Sequence, residues 1–264
     1  MQKRHLMLAY GLVYCLLNAQ ILLWVFDQWI RTDYGVVGAG FFVAGCCVLL
    51  IRRRALVWNA RISLPFLLVS LGFLAASTGV LPLGYNILRS ICFVLGLLTG
   101  CSAFVPVSRK QFLLLASWLL SCLPVVPLLG STVGLVNREV YASLLHVFFS
   151  GAQRIGTSFY DGGYAFHIDA GCSGVQGMYF LWGAWNVIAM ASRDTAAVRF
   201  RVLAEALTLF WFLNGARVVF LYVLHNLQHV SALNSLDLLA GIMAFGIALS
   251  FVVLRMTLPY RMPR

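Results

Sequence analysis

Long stretches without a charged residue constrain this chain more than any other feature of its sequence. Seven such stretches are present, and an eighth apolar stretch is interrupted only by Glu205 and Arg217. In chain order the eight cover 6–26, 34–51, 62–88, 90–108, 111–137, 170–192, 203–224 and 238–254. A helix needs about 20 apolar residues to cross the hydrocarbon core of a bilayer. We therefore expect an all-α polytopic membrane protein with about eight transmembrane helices.

The composition supports a membrane protein and argues against a nucleic-acid partner. Charged residues make up 10% of the chain and hydrophobic residues 61%, whereas soluble domains carry about 25% charged residues. The net charge is +11, but the basic residues lie in small clusters between the apolar stretches and form no stripe with interleaved aromatic residues. With no internal repeat or linker, residues 1–264 are expected to form a single domain, with lipid as the surrounding partner.

The distribution of basic residues predicts the orientation of the chain. If the N-terminus is cytoplasmic, fourteen of the nineteen lysines and arginines fall in inner segments, and only Arg31, Arg138 and Arg154 fall in outer ones. Such a bias marks the cytoplasmic side of membrane proteins. We therefore expect a multi-pass protein of the cell inner membrane, with both termini in the cytoplasm.

One outer segment, 131–169, is far longer than the others and carries two local patterns. Val140, Leu144, Leu145, Phe148 and Phe149 follow a helical spacing, which predicts an amphipathic helix lying on the periplasmic surface of the membrane. The sequence TSFYDGGYAFHID then places Asp-Gly-Gly between two alternating, aromatic-rich arms. This pattern predicts a short β-hairpin before the sixth apolar stretch.

Cys172 differs from the other six cysteines, which lie inside apolar stretches. It stands at the outer mouth of the sixth stretch in AGCSGVQG, followed by Ser173 and Gly174. One reading is a helix-entry cysteine without chemistry. In the other, the free N–H groups and positive dipole end of the helix favour a thiolate and bind a developing oxyanion. The small neighbours would let a substrate backbone approach a nucleophile at the membrane surface.

Arg217 is a cation inside the seventh apolar stretch, about two turns from its outer end. Such a residue marks a functional site or an internal ion pair, or else extends its side chain to the membrane surface. Asn214 precedes it by three residues and shares its face of the helix. The pair favours a site.

His225 and Asp237 are predicted to lie at the same outer level. Each also has an ordinary explanation, because interfacial histidines are common and acids are favoured near helix starts. No histidine pair has metal-ligand spacing with a cysteine or an acid, so neither a metal nor another cofactor is expected.

The motif AGCSGVQGMYFL, followed about forty residues later by NGAR, resembles the exosortase/archaeosortase family over roughly 135–245. The family consists of polytopic membrane cysteine transpeptidases. The resemblance implies that Cys172 is the nucleophile and Arg217 the essential arginine. The family's third motif is a histidine followed four residues later by glycine. Here Asp237 and Gly241 stand at that spacing, so either Asp237 replaces the histidine or His225 supplies an imidazole from elsewhere.

The resemblance implies a thiol protease that acts as a hydrolase or transpeptidase at the outer face of the membrane. Its partners would be exported proteins that end in a sorting signal, made of a short motif, a transmembrane helix and a basic tail. Two other classes stay open on the residues alone. One is a transporter with a site at Arg217 and Asp237, and the other is a non-catalytic membrane scaffold.

Overall fold

A computed structural model of the chain describes residues 2–52, 62–80, 85–105, 107–161, 164–192, 196–228 and 233–257. Within these ranges the protein is mostly helical, with one small sheet. The helices are α1 (Gln2–Leu17), α2 (Ala19–Arg31), α3 (Asp33–Arg52), α4 (Leu64–Ala75), α5 (Asn86–Phe104), α6 (Arg109–Ser121), α7 (Val126–Ser131), α8 (Val133–Phe148), α9 (Val175–Ala191), α10 (Ala196–Gln228) and α11 (Leu233–Thr257). The strands are β1 (Gln153–Ile155), β2 (Ser158–Asp161) and β3 (Tyr164–His167).

The helices indicate a membrane protein, but they provide fewer spans than the expected eight. Among the described residues, three helices are long and apolar enough to cross a membrane: Asn86–Phe104, Arg199–His225 and Leu236–Thr257. A bent pair, His5–Leu17 with Ala19–Arg31, would make four if it forms one span.

Uncharged stretches overestimate the spans because they do not always form one continuous helix. The first stretch bends by 75° at Asn18. The fifth stretch contains Pro124 and Pro127, and three helices, α6, α7 and α8, occupy it. A proline removes a backbone hydrogen bond and disfavours a helical conformation in the residue before it. Helix α9 has only 17 residues.

The chain divides into two compact units. Unit 1 comprises Met1–Val125 and Asn186–Ala197, and unit 2 comprises Val126–Trp185 and Val198–Arg264. The expectation of a single functional domain stays a prediction. Every residue of the candidate site described below belongs to unit 2.

Unit 1 contains a buried arginine that is satisfied by the main chain. Arg89 on α5 is 4% exposed, and its Nε donates to the carbonyl of Ser77 at 2.8 Å. Ser77 lies in a π-helical turn, Ala76–Val80, that follows α4. Such turns shift the regular hydrogen-bond pattern of a helix. The buried guanidinium of Arg89 is thus satisfied by a main-chain carbonyl of this neighbouring turn.

The small sheet of unit 2 confirms the predicted hairpin and extends it. Strands β2 and β3 pair antiparallel in a register that matches Ser158 with His167 and Phe159 with Phe166. The glycines of the turn, residues 162–163, lie outside the described residues. Strand β1, which the sequence pattern did not predict, pairs with the other edge of β2.

Helix α8 has an exposed apolar face, as expected of an amphipathic helix, but not all of the predicted apolar residues lie on that face. Leu145 is fully buried and belongs with Tyr141 to the core of unit 2. Leu144 and Phe148 are exposed, and Val147 is 76% exposed. The predicted apolar residues therefore lie on two faces of the helix. One face packs in the protein, and the other is available to lipid.

Candidate functional site

Cys172 lies in a short 3-10 turn, Gly171–Ser173, that precedes α9. Gly174 separates this turn from the helix and has a φ of 72°, a left-handed conformation that glycine adopts without steric cost. The sequence placed the thiol at the mouth of the helix, where the free N–H groups and the helix dipole would favour a thiolate. The structure places it in the turn just before the helix, ahead of the left-handed residue, and Cys172 is 9% exposed.

The surroundings of Cys172 keep its thiol protonated. Burial is the largest cause that raises the pKa of Cys172. The negative charge of Asp169 and a hydrogen bond between the Asp169 and Cys172 side chains raise this pKa further, to about 12. The guanidinium of Arg217 lowers this pKa by its charge, but the effect is smaller. Burial thus opposes the thiolate that the helix end would favour, because removal from water disfavours the charged form.

Asp169 organises the turn that carries the nucleophile candidate. Its Oδ1 accepts the backbone N–H of Cys172 at 2.9 Å, an arrangement in which an aspartate bonds to the backbone a few residues later. The carboxylate therefore contacts both the backbone and the side chain of Cys172. Asp169 is itself exposed, so a substrate or water can reach it.

Asn214 on α10 connects the turn to the arginine. It is 1% exposed, and its Nδ2 donates to the carbonyl of Cys172 at 2.8 Å. A Cβ atom at Gly174 would lie 2.8 Å from the same nitrogen. Glycine at this position thus permits both the left-handed backbone and the close approach of Asn214.

Arg217 is held from two sides. Its Nη1 donates to Asn214 Oδ1 at 3.0 Å, and its Nε donates to Asp237 Oδ1 at 2.8 Å. Nη2 also contacts Asp237 Oδ1, at 2.5 Å. The Arg217 side chain is only 12% exposed, so it does not extend to the surface but forms an ion pair with Asp237.

Asp237, one of the two candidates for the third residue, accepts hydrogen bonds from Arg217, and this contact gives it the position of an orienting acceptor. Asp237 lies at the start of α11, and its side chain is 38% exposed. One turn later, Gly241 lies beneath the guanidinium, where a Cβ atom would be 3.6 Å from Arg217 Cζ.

His225, the alternative third residue, lies near the end of α10 in an aromatic group. Its ring centroid is 5.8 Å from that of Phe166 on β3, and Phe166 in turn packs against Tyr222. The structure thus places Asp237, rather than His225, against Arg217.

Three residues that the sequence patterns did not indicate complete the site. Asp169 is described above. Asn137 on α8 donates to the carbonyl of Ser173 at 3.0 Å and accepts from Trp211 Nε1 at 3.1 Å. Tyr141, also on α8, donates to the carbonyl of Trp211 at 3.0 Å. The spacing of Asp169 three residues before Cys172 was the available signal, whereas Asn137 was hidden at the end of an uncharged stretch.

The remaining predicted site residue, Ser173, has a structural position. It is 2% exposed, and its hydroxyl donates to the carbonyl of Ala170 at 2.6 Å, closing the turn. Within the described ranges, no group of three or more His, Cys, Asp or Glu side chains is arranged to hold a metal ion.

The site is therefore a chain of hydrogen bonds that runs from Asp169 and the Cys172 turn through Asn214 to Arg217 and Asp237. It combines the thiol of Cys172, the carboxylate of Asp169 beside it and an oriented cation, Arg217. Comparison of the chain with protein-family models, curated proteins and solved structures finds no match.

Proposed function

We propose that this protein is a membrane-embedded cysteine transpeptidase or peptidase that cleaves C-terminal sorting signals of exported proteins. The hydrogen-bonded connection of Cys172 to Arg217 through Asn214 carries the proposal. A scaffold needs no such connection, and buried polar groups in a membrane protein are costly unless they serve a function. The inner membrane, the cytoplasmic termini and an outer-face site belong to the same proposal and rest on the distribution of basic residues.

The chemistry begins with a neutral thiol. As Cys172 Sγ attacks the substrate carbonyl, its proton passes to the carboxylate of Asp169, which already contacts the thiol. The S–C bond forms while the carbonyl oxygen takes up negative charge. Arg217 stabilises that charge by its own positive charge and its N–H groups. The guanidinium has five N–H groups, and the contacts to Asn214 and Asp237 use three of them, which leaves donors for the oxyanion.

Breakdown of this intermediate completes acyl transfer. The C–N bond breaks, and the leaving amine takes the proton from Asp169, which leaves a thioester on Cys172. An acceptor amine or a water molecule then attacks the thioester and gives a proton to Asp169. The C–S bond breaks, the acyl group leaves on the acceptor, and Asp169 returns the proton to Cys172 Sγ, which restores the thiol and the carboxylate. Asp237 keeps Arg217 in place throughout by accepting hydrogen bonds from its Nε and Nη2.

The test pairs the protein with an exported protein from the same genome that ends in a short motif, one apolar helix and an arginine cluster. With the native chain, the precursor should shorten, and hydroxylamine should cleave the thioester on Cys172 and release the acyl group as a hydroxamate. Cys172→Ala should leave the precursor uncleaved. Cys47→Ala is the matched control, because Cys47 is an exposed cysteine of unit 1. Cleavage by Cys172→Ala would refute the covalent mechanism.

The ion pair of Arg217 and Asp237 also suits the transporter alternative, because the two residues join two long apolar helices. A transporter built on this pair would not depend on Cys172. Loss of processing in Cys172→Ala, with normal amounts of protein in the membrane, would therefore favour the peptidase.

A further inference from the structure

The outer edge of β3 offers main-chain groups that do not pair within the sheet. In an antiparallel ladder, hydrogen-bonded pairs of residues alternate with pairs whose N–H and C=O groups point away from each other. Ile168 N–H donates to Thr157 O at 3.0 Å, so that pair is bonded. The register then directs the main-chain groups of Ala165 and His167 away from β2.

This edge is also accessible. Ala165 and His167 are exposed, and no backbone hydrogen bond outside the sheet joins either of them to another described segment. Proteins usually protect such edges with lysine, proline or a bulge. The sequence of β3, Tyr-Ala-Phe-His, contains neither proline nor lysine.

The edge is held in a fixed position relative to the nucleophile candidate. Ile168 is fully buried and Phe159 is 1% exposed, and both belong to the hydrophobic cluster that contains Cys172 and Tyr222. Cys172 lies five positions after His167, which limits the distance between their Cα atoms to about 17 Å. A strand added at this edge would therefore end near the thiol.

We propose that the outer edge of β3 binds an extended segment of the polypeptide substrate as an additional strand and thereby directs the scissile bond to Cys172. The proposal rests on the peptidase function proposed above. Main-chain pairing suits this task because it recognises an extended peptide whatever its side chains, while pockets elsewhere supply sequence preference. Because only two residues of the edge point outward, pairing would fix the register of the bound peptide and would add little to its affinity.

The probes are two irreversible reagents for Cys172, acetyl-Gly-chloromethyl ketone and acetyl-Ala-Ala-Ala-Gly-chloromethyl ketone. The purified full chain is labelled in detergent, and labelling of Cys172 is followed by mass spectrometry. If the longer probe pairs with β3, its rate constant should exceed that of the shorter probe by about tenfold, which corresponds to roughly two modest hydrogen bonds. Equal rates for both probes would overturn the proposal.

Proline variants separate main-chain pairing from side-chain contact. Ala165→Pro removes an outward N–H, which an edge strand tolerates, and should abolish most of the length-dependent gain. Ala165→Ser retains the N–H and should keep the gain. An unchanged gain in Ala165→Pro would contradict the proposal.

Two further measurements keep the test decisive. Labelling of Cys172 by iodoacetamide should be unchanged in Ala165→Pro, which shows that the site is intact. If that variant does not fold, long probes with N-methyl groups at alternate positions can be compared on the native chain, and a gain insensitive to every methyl position would refute pairing. Labelling needs no turnover, so a persistent gain without precursor cleavage would refute the peptidase function and leave the strand-pairing site.

Discussion

Replacement of Asp169 by asparagine should make the thiol of Cys172 more reactive and should lower the proposed peptidase activity. Asparagine keeps an oxygen that can accept the Cys172 N–H, so the turn should persist while the negative charge is lost. That charge, together with a side-chain hydrogen bond, raises the pKa of Cys172. Its removal therefore favours the thiolate, which is the form that reacts with alkylating reagents. The same change removes the group proposed to accept and return the proton during acyl transfer.

The size of the effect follows from the pKa. At pH 8, a thiol with a pKa of about 12 is thiolate in about one molecule in ten thousand, whereas the ordinary value of 9.0 gives about one in ten. Burial is the largest single cause of this factor of about one thousand, and Asp169 adds to it through its charge and through a side-chain hydrogen bond. Asp169→Asn should therefore be alkylated faster than the native chain, by less than that full factor, because burial remains.

The assay measures iodoacetamide labelling of Cys172 between pH 7 and 10 by mass spectrometry, alongside processing of a precursor. Glu139→Gln is the control, because Glu139 is an exposed acid of the same unit that pairs with Arg154; both rates should be unchanged. Faster labelling with slower processing would support the proton-acceptor role. Labelling of Asp169→Asn at or below the native rate would refute the electrostatic reasoning.

Three other predictions follow from the site and from the sequence. Arg217→Lys should reduce processing by at least about tenfold, because one ammonium group cannot reproduce the planar contacts to Asn214 and Asp237; near-native processing would contradict this role. Gly174→Ala should lower the free energy of unfolding by about 1–3 kcal/mol, because the backbone is left-handed and the new Cβ would meet Asn214; a thermal unfolding measurement tests this, with Gly151→Ala, which has open space, as the control. Reporter fusions should place both termini in the cytoplasm, and an external C-terminus would remove the basis for an outer-face site.

Local sequence patterns determined much of what this chain forms. The uncharged stretches indicated apolar helices, and the Asp-Gly-Gly pattern predicted the hairpin of β2 and β3. The three-residue spacing of Asn214 and Arg217 placed them on one helical face, where they form a hydrogen bond. Each of these features follows from a periodicity or a turn preference that acts within a few residues.

The helix count and the division of α8 could not be determined in this way. Charge-free stretches do not record where prolines and bends interrupt a helix, so eight stretches gave fewer helices of spanning length. The spacing of apolar residues on α8 did not show which of them face the protein. Leu145 is buried and Leu144 is exposed because neighbouring residues point to different faces of one helix.

The sequence by itself determined which groups of the site are present; the tertiary structure decided what state they are in. Cys172 was identified from its neighbours, but its raised pKa depends on burial and on Asp169, and burial depends on contacts with distant parts of the chain. Asp237 was matched to the family's third motif by its spacing to Gly241, and only the folded chain brings its Oδ1 to 2.8 Å from Arg217 Nε. Asn137, 36 positions away from the turn it supports, gave no local signal, because hydrogen bonds between distant residues form only once the chain has folded.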